Sequence, residues 1–244
     1  MNQLSNLILL VSCMAITLLQ NVDASKPIII RSGGLTPRHK KQILDVHNNY
    51  RSSVALGQIR GQPMAQNMME LKWDDELAAK AQDWADQCSI AHDTDRHVER
   101  FYVGQNLAAT WTTRKPTDYH SFEPDFTEQI NKWFAEVKKF SINSGHTYVD
   151  DTGHYSQLVW SETSLIGCGY TFYFDQGRGY TKLYICNYGP AGNVIGTAPY
   201  VVGPPSCRSY GLLQSSLYPG LCDYKDTKAR FLDYNNLLGF KYFY

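Results

Sequence analysis

The sequence predicts an α+β fold, a three-layer arrangement in which helices flank a sheet. Three observations carry the prediction. The first half of the chain repeats its apolar residues at helical spacing. After Gly153 the period changes to short runs rich in aromatic and β-branched residues, separated by glycine-containing turns. The two kinds of segment do not alternate as βαβ units would require.

The elements follow in order. Residues 7–19 are apolar but too short to span a bilayer, and Val22-Asp23-Ala24 offers a small-x-small cleavage signature. Residues 1–24 therefore read as a secretory leader, with the mature chain beginning near Ser25. Thr36-Pro37 starts a first helix, a hydroxyl N-cap followed by proline at the first helical position. That helix carries Ile43, Leu44, Val46, His47 and Tyr50, and stops by Gly57. Asp74 caps a second helix, with Asp75 and Glu76 well placed against the dipole. Its buried stripe runs Leu77, Ala81, Trp84, Ala85 and Cys88. A third helix is expected from Asp125 to Phe140, with Phe126, Ile130, Trp133, Phe134 and Val137 facing inward. Strands are expected at 155–160, 166–174 and 182–188.

Charge and cysteines narrow the function. Acidic and basic residues balance at 23 each, which supplies no electrostatic reason to bind nucleic acid or an anionic membrane. No later window is long and apolar enough to cross a bilayer, and no Asn-x-Ser/Thr sequon occurs. Of the six cysteines, Cys13 leaves with the leader, so an odd number remains. Setting Cys168 opposite Cys186 centres a hairpin on Gly177, in Asp175-Gln176-Gly177-Arg178-Gly179, and places Tyr170 opposite Tyr184 and Phe172 opposite Lys182. Opposed strand residues are close enough for a disulfide, so Cys168–Cys186 is expected. Beyond Tyr200 the composition shifts through Gly203-Pro204-Pro205. Cys207–Cys222 is expected to staple an extension too small for its own core, around a Tyr218-Pro219-Gly220 turn. Cys88 reads either as an inert thiol or as an intermolecular bridge. The aromatic tail 223–244 reads as a strip packed back on the domain, a frayed end, or a partner or lipid contact.

Several stretches resemble one family. GHYSQLVW at 153–160 and YICNYGPAGNVIG at 184–196 match the two signatures of the CAP superfamily of cysteine-rich secretory, antigen-five and pathogenesis-related proteins. HNNYR at 47–51, AHDT at 91–94 and VGQNLA at 103–108 fit the same pattern. The resemblance covers about residues 36–200 and looks closest to the arthropod antigen-five branch. It implies an α-β-α sandwich over 25–200, a C-terminal extension over 201–244, and secretion, often in venom or saliva. It also implies a non-enzymatic extracellular effector that binds a protein, a lipid or a divalent metal. Some family members carry sterols or fatty acids. A monomer is expected, with a dimer as the alternative. Antigen-five relatives usually pair the cysteine at position 88 with one in an N-terminal extension and carry another where this chain has Asp95. Residues 25–46 hold no cysteine, so both bridges are missing here.

The family's polar site is a tetrad of two histidines and two acids. By motif the histidines are His92 and His154, and one acid is Glu136. The fourth position is Gln105, where much of the superfamily has Glu and the antigen-five branch commonly has Gln. Two neutral imidazoles beside a carboxylate suit Zn²⁺ or Cu²⁺. Four polar groups bonded to one another in a cleft floor is the competing reading. Gln105 cannot serve as a general base, but it can orient a neighbour. Ser156 with His154 and Glu136 would make a hydrolase if 155–160 is a strand, because i and i+2 share a face. No G-x-S-x-G elbow accompanies them, and the hydroxyl has local backbone to bond instead.

Overall fold

The structure is a computed structural model describing residues 26–142 and 150–225. The expected leader (1–24) and most of the aromatic tail lie outside the described residues.

Helix α1 spans Pro37–Ala55. Thr36 caps it by accepting from the His39 amide while the His39 ring accepts from the Thr36 amide, a reciprocal box that fixes the helix start. The inward face mixes apolar Ile43, Val54 and Ala55 with buried His47, Asn48 and Arg51. Those polar groups are buried because each finds partners. Arg51 donates to the main-chain oxygens of Met69, Leu158, Trp160, Ser161 and Thr163. Asn48 exchanges hydrogen bonds with both main-chain groups of Leu71. A buried guanidinium is tolerated only when its donors are saturated. Here it gathers the chain segments that lead into the sheet.

Helix α2 spans Asp75–Ala85, with Asp74 accepting from the Leu77 amide as its cap. Helix α3 spans Phe126–Ala135 and passes into a 3₁₀ turn at Glu136–Lys138. The helical periodicity to Phe140 therefore describes two geometries, and Glu136 sits at their junction. A short helix, α4, covers Gly153–Leu158.

The sheet holds β1 (Ile28–Ser32), β2 (Lys72–Trp73), β3 (Gly104–Thr112), β4 (Leu165–Asp175) and β5 (Gly179–Gly189). Its order is β1-β4-β5-β3, with β2 running parallel beside β4. In the β4–β5 register Cys168 stands opposite Cys186, Tyr170 opposite Tyr184 and Phe172 opposite Lys182. The two sulfurs are bonded across a Cα separation of 4.1 Å.

Alternation along the strands assigns each sheet face its layer. Cys168, Tyr170, Phe172, Tyr184, Cys186 and Tyr188 face α1, α3 and α4 in one core. Tyr173, Leu183 and Ile185 face Ala81 and Ala85 of α2 in another. Helix α2 lies unusually close to the sheet because β4 presents Gly167 and Gly169 beneath it. A Cβ on Gly167 would stand 2.1 Å from the Ala78 nitrogen. The result is the three-layer α-β-α sandwich.

The C-terminal extension pairs β6 (Leu213–Gln214) with β7 (Cys222–Asp223) and carries the Cys207–Cys222 disulfide. It is fastened to the segment before β2 by hydrogen bonds from the Cys222 amide to Met68 and from the Glu70 amide to Cys222.

Two sequence expectations need correction. Residues 155–160 are helix and its exit, not a strand, because every side of this short segment meets protein: Tyr155, Ser156, Gln157 and Leu158 are all buried. Cys88 does not continue the α2 stripe. The helix ends at Ala85, and Cys88 lies beyond it with a left-handed φ of 56°, a half-buried free thiol.

Candidate functional site: a histidine pair at the sheet edge

β3 is an edge strand, and consecutive residues on it point to opposite layers. Gln105 therefore reaches toward the α2 side, and Asn106 toward the side of α1 and α4. Each anchors one half of the site.

On the α2 side, the Gln105 side-chain oxygen accepts from the Asp93 amide at 3.1 Å and meets His92 Nδ1 at 2.9 Å. A main-chain N–H can only donate, so the atom facing it is an oxygen and the Nδ1 that shares it carries a proton. His92 is thereby held with Nε2 as its lone-pair nitrogen. Partial burial pulls the His92 pKa below the usual histidine value. The Gln105 contact acts against that shift, while the charges of Arg96 and His154 reinforce it.

On the opposite side, His154 Nδ1 lies 2.7 Å from a Glu136 carboxylate oxygen, and the other oxygen accepts from the Tyr155 amide at 3.0 Å. The junction of α3 with its 3₁₀ turn puts Glu136 there. The His154 ring stacks on Trp133, with centroids 5.9 Å apart and planes at 15°. The Asn106 amide donates to the His154 carbonyl at 3.1 Å, tying α4 to the edge strand. A carboxylate only accepts, so His154 also carries its proton on Nδ1 and keeps Nε2 basic.

His92 and His154 thus come from opposite layers to one rim of the sheet, close enough that the His154 charge helps to hold the His92 pKa down. Gln105 and Glu136 stand behind them and orient them. Among the described residues, no three His, Cys, Asp or Glu groups gather in a metal-holding arrangement. With each Nδ1 engaged, the nitrogen that either ring offers to a ligand is its Nε2. That donor set suits Zn²⁺ or Cu²⁺ but fills only half of a tetrahedral shell.

Ser156 is not part of this constellation. On a helix, i and i+2 point about 200° apart. Its hydroxyl lies within hydrogen-bond reach of the Thr152 and Gly153 carbonyls and the Asn193 side chain. His47, which meets the Ile43 carbonyl and the Tyr188 hydroxyl, and Arg51 are internal ties. A cavity of about 940 Å³ opens at the other end of β3 and β5, lined by Thr110, Trp111, Tyr180 and Lys182 among others, and neither His92 nor His154 takes part in it. Sequence reasoning missed Asn187. It is fully buried and stands directly opposite Gln105 in the β3–β5 register, a position visible only once that pairing is known.

An α-β-α sandwich with a histidine pair gathered at the edge of its sheet is the class of domain these features define. Comparison with known proteins makes it particular. The family model described as the cysteine-rich secretory protein family, CAP, matches residues 44–188. A salivary antigen-5 of Dipetalogaster maximus is 36% identical over 197 residues, covering 80% of this chain and 78% of that protein. A venom allergen 5 of Vespa velutina is 43% identical over 176 residues, covering 70% of this chain and 83% of the relative. The crystal structure of NaASP2 with Zn²⁺ is 27% identical and superposes with a TM-score of 0.61 over 78% of this chain and 97% of that one. The chain belongs to the cysteine-rich secretory protein family, and its curated relatives are antigen-five and venom allergen proteins.

Proposed function

We propose that the protein is a secreted, non-enzymatic effector of the antigen-five type, released after its leader is removed near Ser25, which takes up Zn²⁺ or Cu²⁺ through His92 and His154 at the sheet edge. The observation that carries the reading is the orientation of the two rings. Gln105 and Glu136 each hold an Nδ1, which is how outer partners fix metal-binding histidines. No described residue hydrogen-bonds either Nε2. Such an ion would supply a fixed positive charge and open coordination positions to which a partner's donor groups could bind.

Three further points support the reading. The Zn²⁺ named for NaASP2 was bound by a protein of the same fold. Relatives come from saliva and venom, which are extracellular fluids. The Ser156 hydroxyl is surrounded by main-chain oxygens and Asn193 rather than by a base, which is the setting of a structural hydroxyl and not of an activated nucleophile.

Calorimetric titration of the mature protein with Zn²⁺ and Cu²⁺ tests the proposal. Uptake of one ion is expected, lost in the His92→Ala/His154→Ala double variant while thermal melting in chelator stays cooperative. Undiminished uptake by that variant would locate the ion elsewhere and overturn the reading.

A further inference from the structure

We propose that Asn187 is a positioning residue that sets which nitrogen of His92 is free to bind, acting through Gln105. This deepens the metal reading, because His92 is one of its two binding residues.

The chain of contacts runs between two main-chain groups that cannot invert. At one end the Leu77 carbonyl can only accept, so Asn187 presents its Nδ2 there, at 3.3 Å. That leaves Asn187 Oδ1 facing Gln105, whose Nε2 donates to it at 2.9 Å. Gln105 is thereby turned so that its oxygen faces Asp93 and His92. At the other end the Asp93 amide can only donate, and it meets that same oxygen at 3.1 Å. Each amide side chain is fixed from both sides, and the polarity of the relay ends in a proton on His92 Nδ1.

The fold makes this relay possible. Gln105 and Asn187 are a directly opposed pair on neighbouring strands. Gly167 is the partner of Asn187 on its other side, and its lack of a side chain lets α2 settle close enough for the Leu77 carbonyl to reach Asn187. Asn187 is fully buried and Gln105 nearly so, so water does not compete for these bonds. A glutamate at position 105 would set a carboxylate oxygen against Asn187 Oδ1. Turning Asn187 to relieve that contact would set its oxygen against the Leu77 carbonyl. The relay is built for an amide at both positions.

The test reads the tautomer directly in metal-free, ¹⁵N-labelled protein by long-range ¹H–¹⁵N correlation near neutral pH. Wild-type His92 is expected as a single Nδ1–H species. Asn187→Leu is expected to give a mixture containing Nε2–H at His92, while His154, held by Glu136, keeps its proton on Nδ1 in both proteins. Zn²⁺ affinity of the variant should fall about tenfold, as for other losses of outer partners. A wild-type His92 protonated on Nε2 overturns the proposal, as does an unchanged tautomer in Asn187→Leu. If that variant does not fold, Asn187→Ala gives the same readout with a smaller side chain that also lacks the amide. Failure of wild type to bind Zn²⁺ would sink the metal reading alone, because the tautomer is measured without metal.

Discussion

The Nε2 of His47 lies 2.8 Å from the hydroxyl of Tyr188, inside the layer where α1 meets β5. Its Nδ1 lies 2.8 Å from the Ile43 carbonyl. A carbonyl only accepts, so Nδ1 carries the proton and Nε2 accepts from the tyrosine. The ring is built in as neutral. Burial lowers its pKa to about 4; the Ile43 bond acts against that shift and the Arg51 charge reinforces it.

An acid limb of stability follows. The folded pKa lies below the unfolded value of 6.5, so the contribution is intact above 6.5 and is lost as pH falls from there to about 4. One proton taken up on unfolding across that window amounts to about 3 kcal/mol. Burial also lowers the pKa values of His92 and His97, and both act in the same direction. Comparing wild type with His47→Gln isolates the His47 share. Denaturant melts should show the wild type losing stability more steeply than the variant between pH 6.5 and 4. Parallel pH profiles would refute the assignment.

The Cys88 thiol should be inert in the folded protein. Burial pushes its pKa up to about 11, and the negative charges of Asp86 and Asp175 add to the shift. At pH 8 only about one thiol in a thousand is then the reactive thiolate. Alkylation by iodoacetamide should be at least about a hundredfold slower in native protein than in denaturant, and non-reducing electrophoresis should show a monomer. Rapid native labelling would mean the thiol is far more open than its half-buried position implies.

What the sequence disclosed depends on how local each cause was. The starts of α1 and α2 are written in Thr36-Pro37 and Asp74, because a cap acts within three residues. The β4–β5 hairpin is written in its glycine turn and its cysteines. Helix α4 was illegible because every residue of it but His154 is buried, so Tyr155, Leu158, Val159 and Trp160 look like a strand and no broad polar face betrays the period. β3 was hidden for the opposite reason. Gln-Asn-Leu-Ala-Ala has little strand preference, and nine residues of pairing with β5 impose the conformation. The identities of His92, His154, Glu136 and Gln105 were readable from motifs. That Gln105 could orient a neighbour was readable too; which side of the sheet each group approaches from was not, since it follows from β3 sending adjacent residues to opposite layers.

Gly167→Ala should be severely destabilising. The added methyl would meet main-chain atoms only, 2.1 Å from the Ala78 nitrogen and 2.5 Å from the Asp74 oxygen. Neither can rotate away, so α2 must lift from the sheet. Overpacking of this kind costs about 3 kcal/mol or more. If α2 lifts, the Leu77 carbonyl also leaves Asn187, and the His92 tautomer should become mixed alongside the loss of stability. A variant with wild-type stability in urea would show that α2 sits farther from β4 than described.

Breaking the Cys207–Cys222 bridge should weaken the whole domain and not only its extension. The bridge closes a sequence separation of 15 residues, for which loop-closure entropy gives about 3 kcal/mol. That energy is shared with the core because the extension is woven into it. Leu221 is fully buried in the main cluster, the Tyr218 hydroxyl donates to Asp45 of α1 at 2.7 Å, and Lys72 pairs with Asp223 at 3.2 Å. Opening the loop removes the constraint from segments that contact α1 and β2 directly. Scanning calorimetry of Cys207→Ala/Cys222→Ala should therefore give one cooperative transition at lower temperature. Two transitions, with the upper one at the wild-type midpoint, would instead mean that the extension folds as a separate unit and that its contacts with Asp45 and Lys72 add nothing to the sandwich.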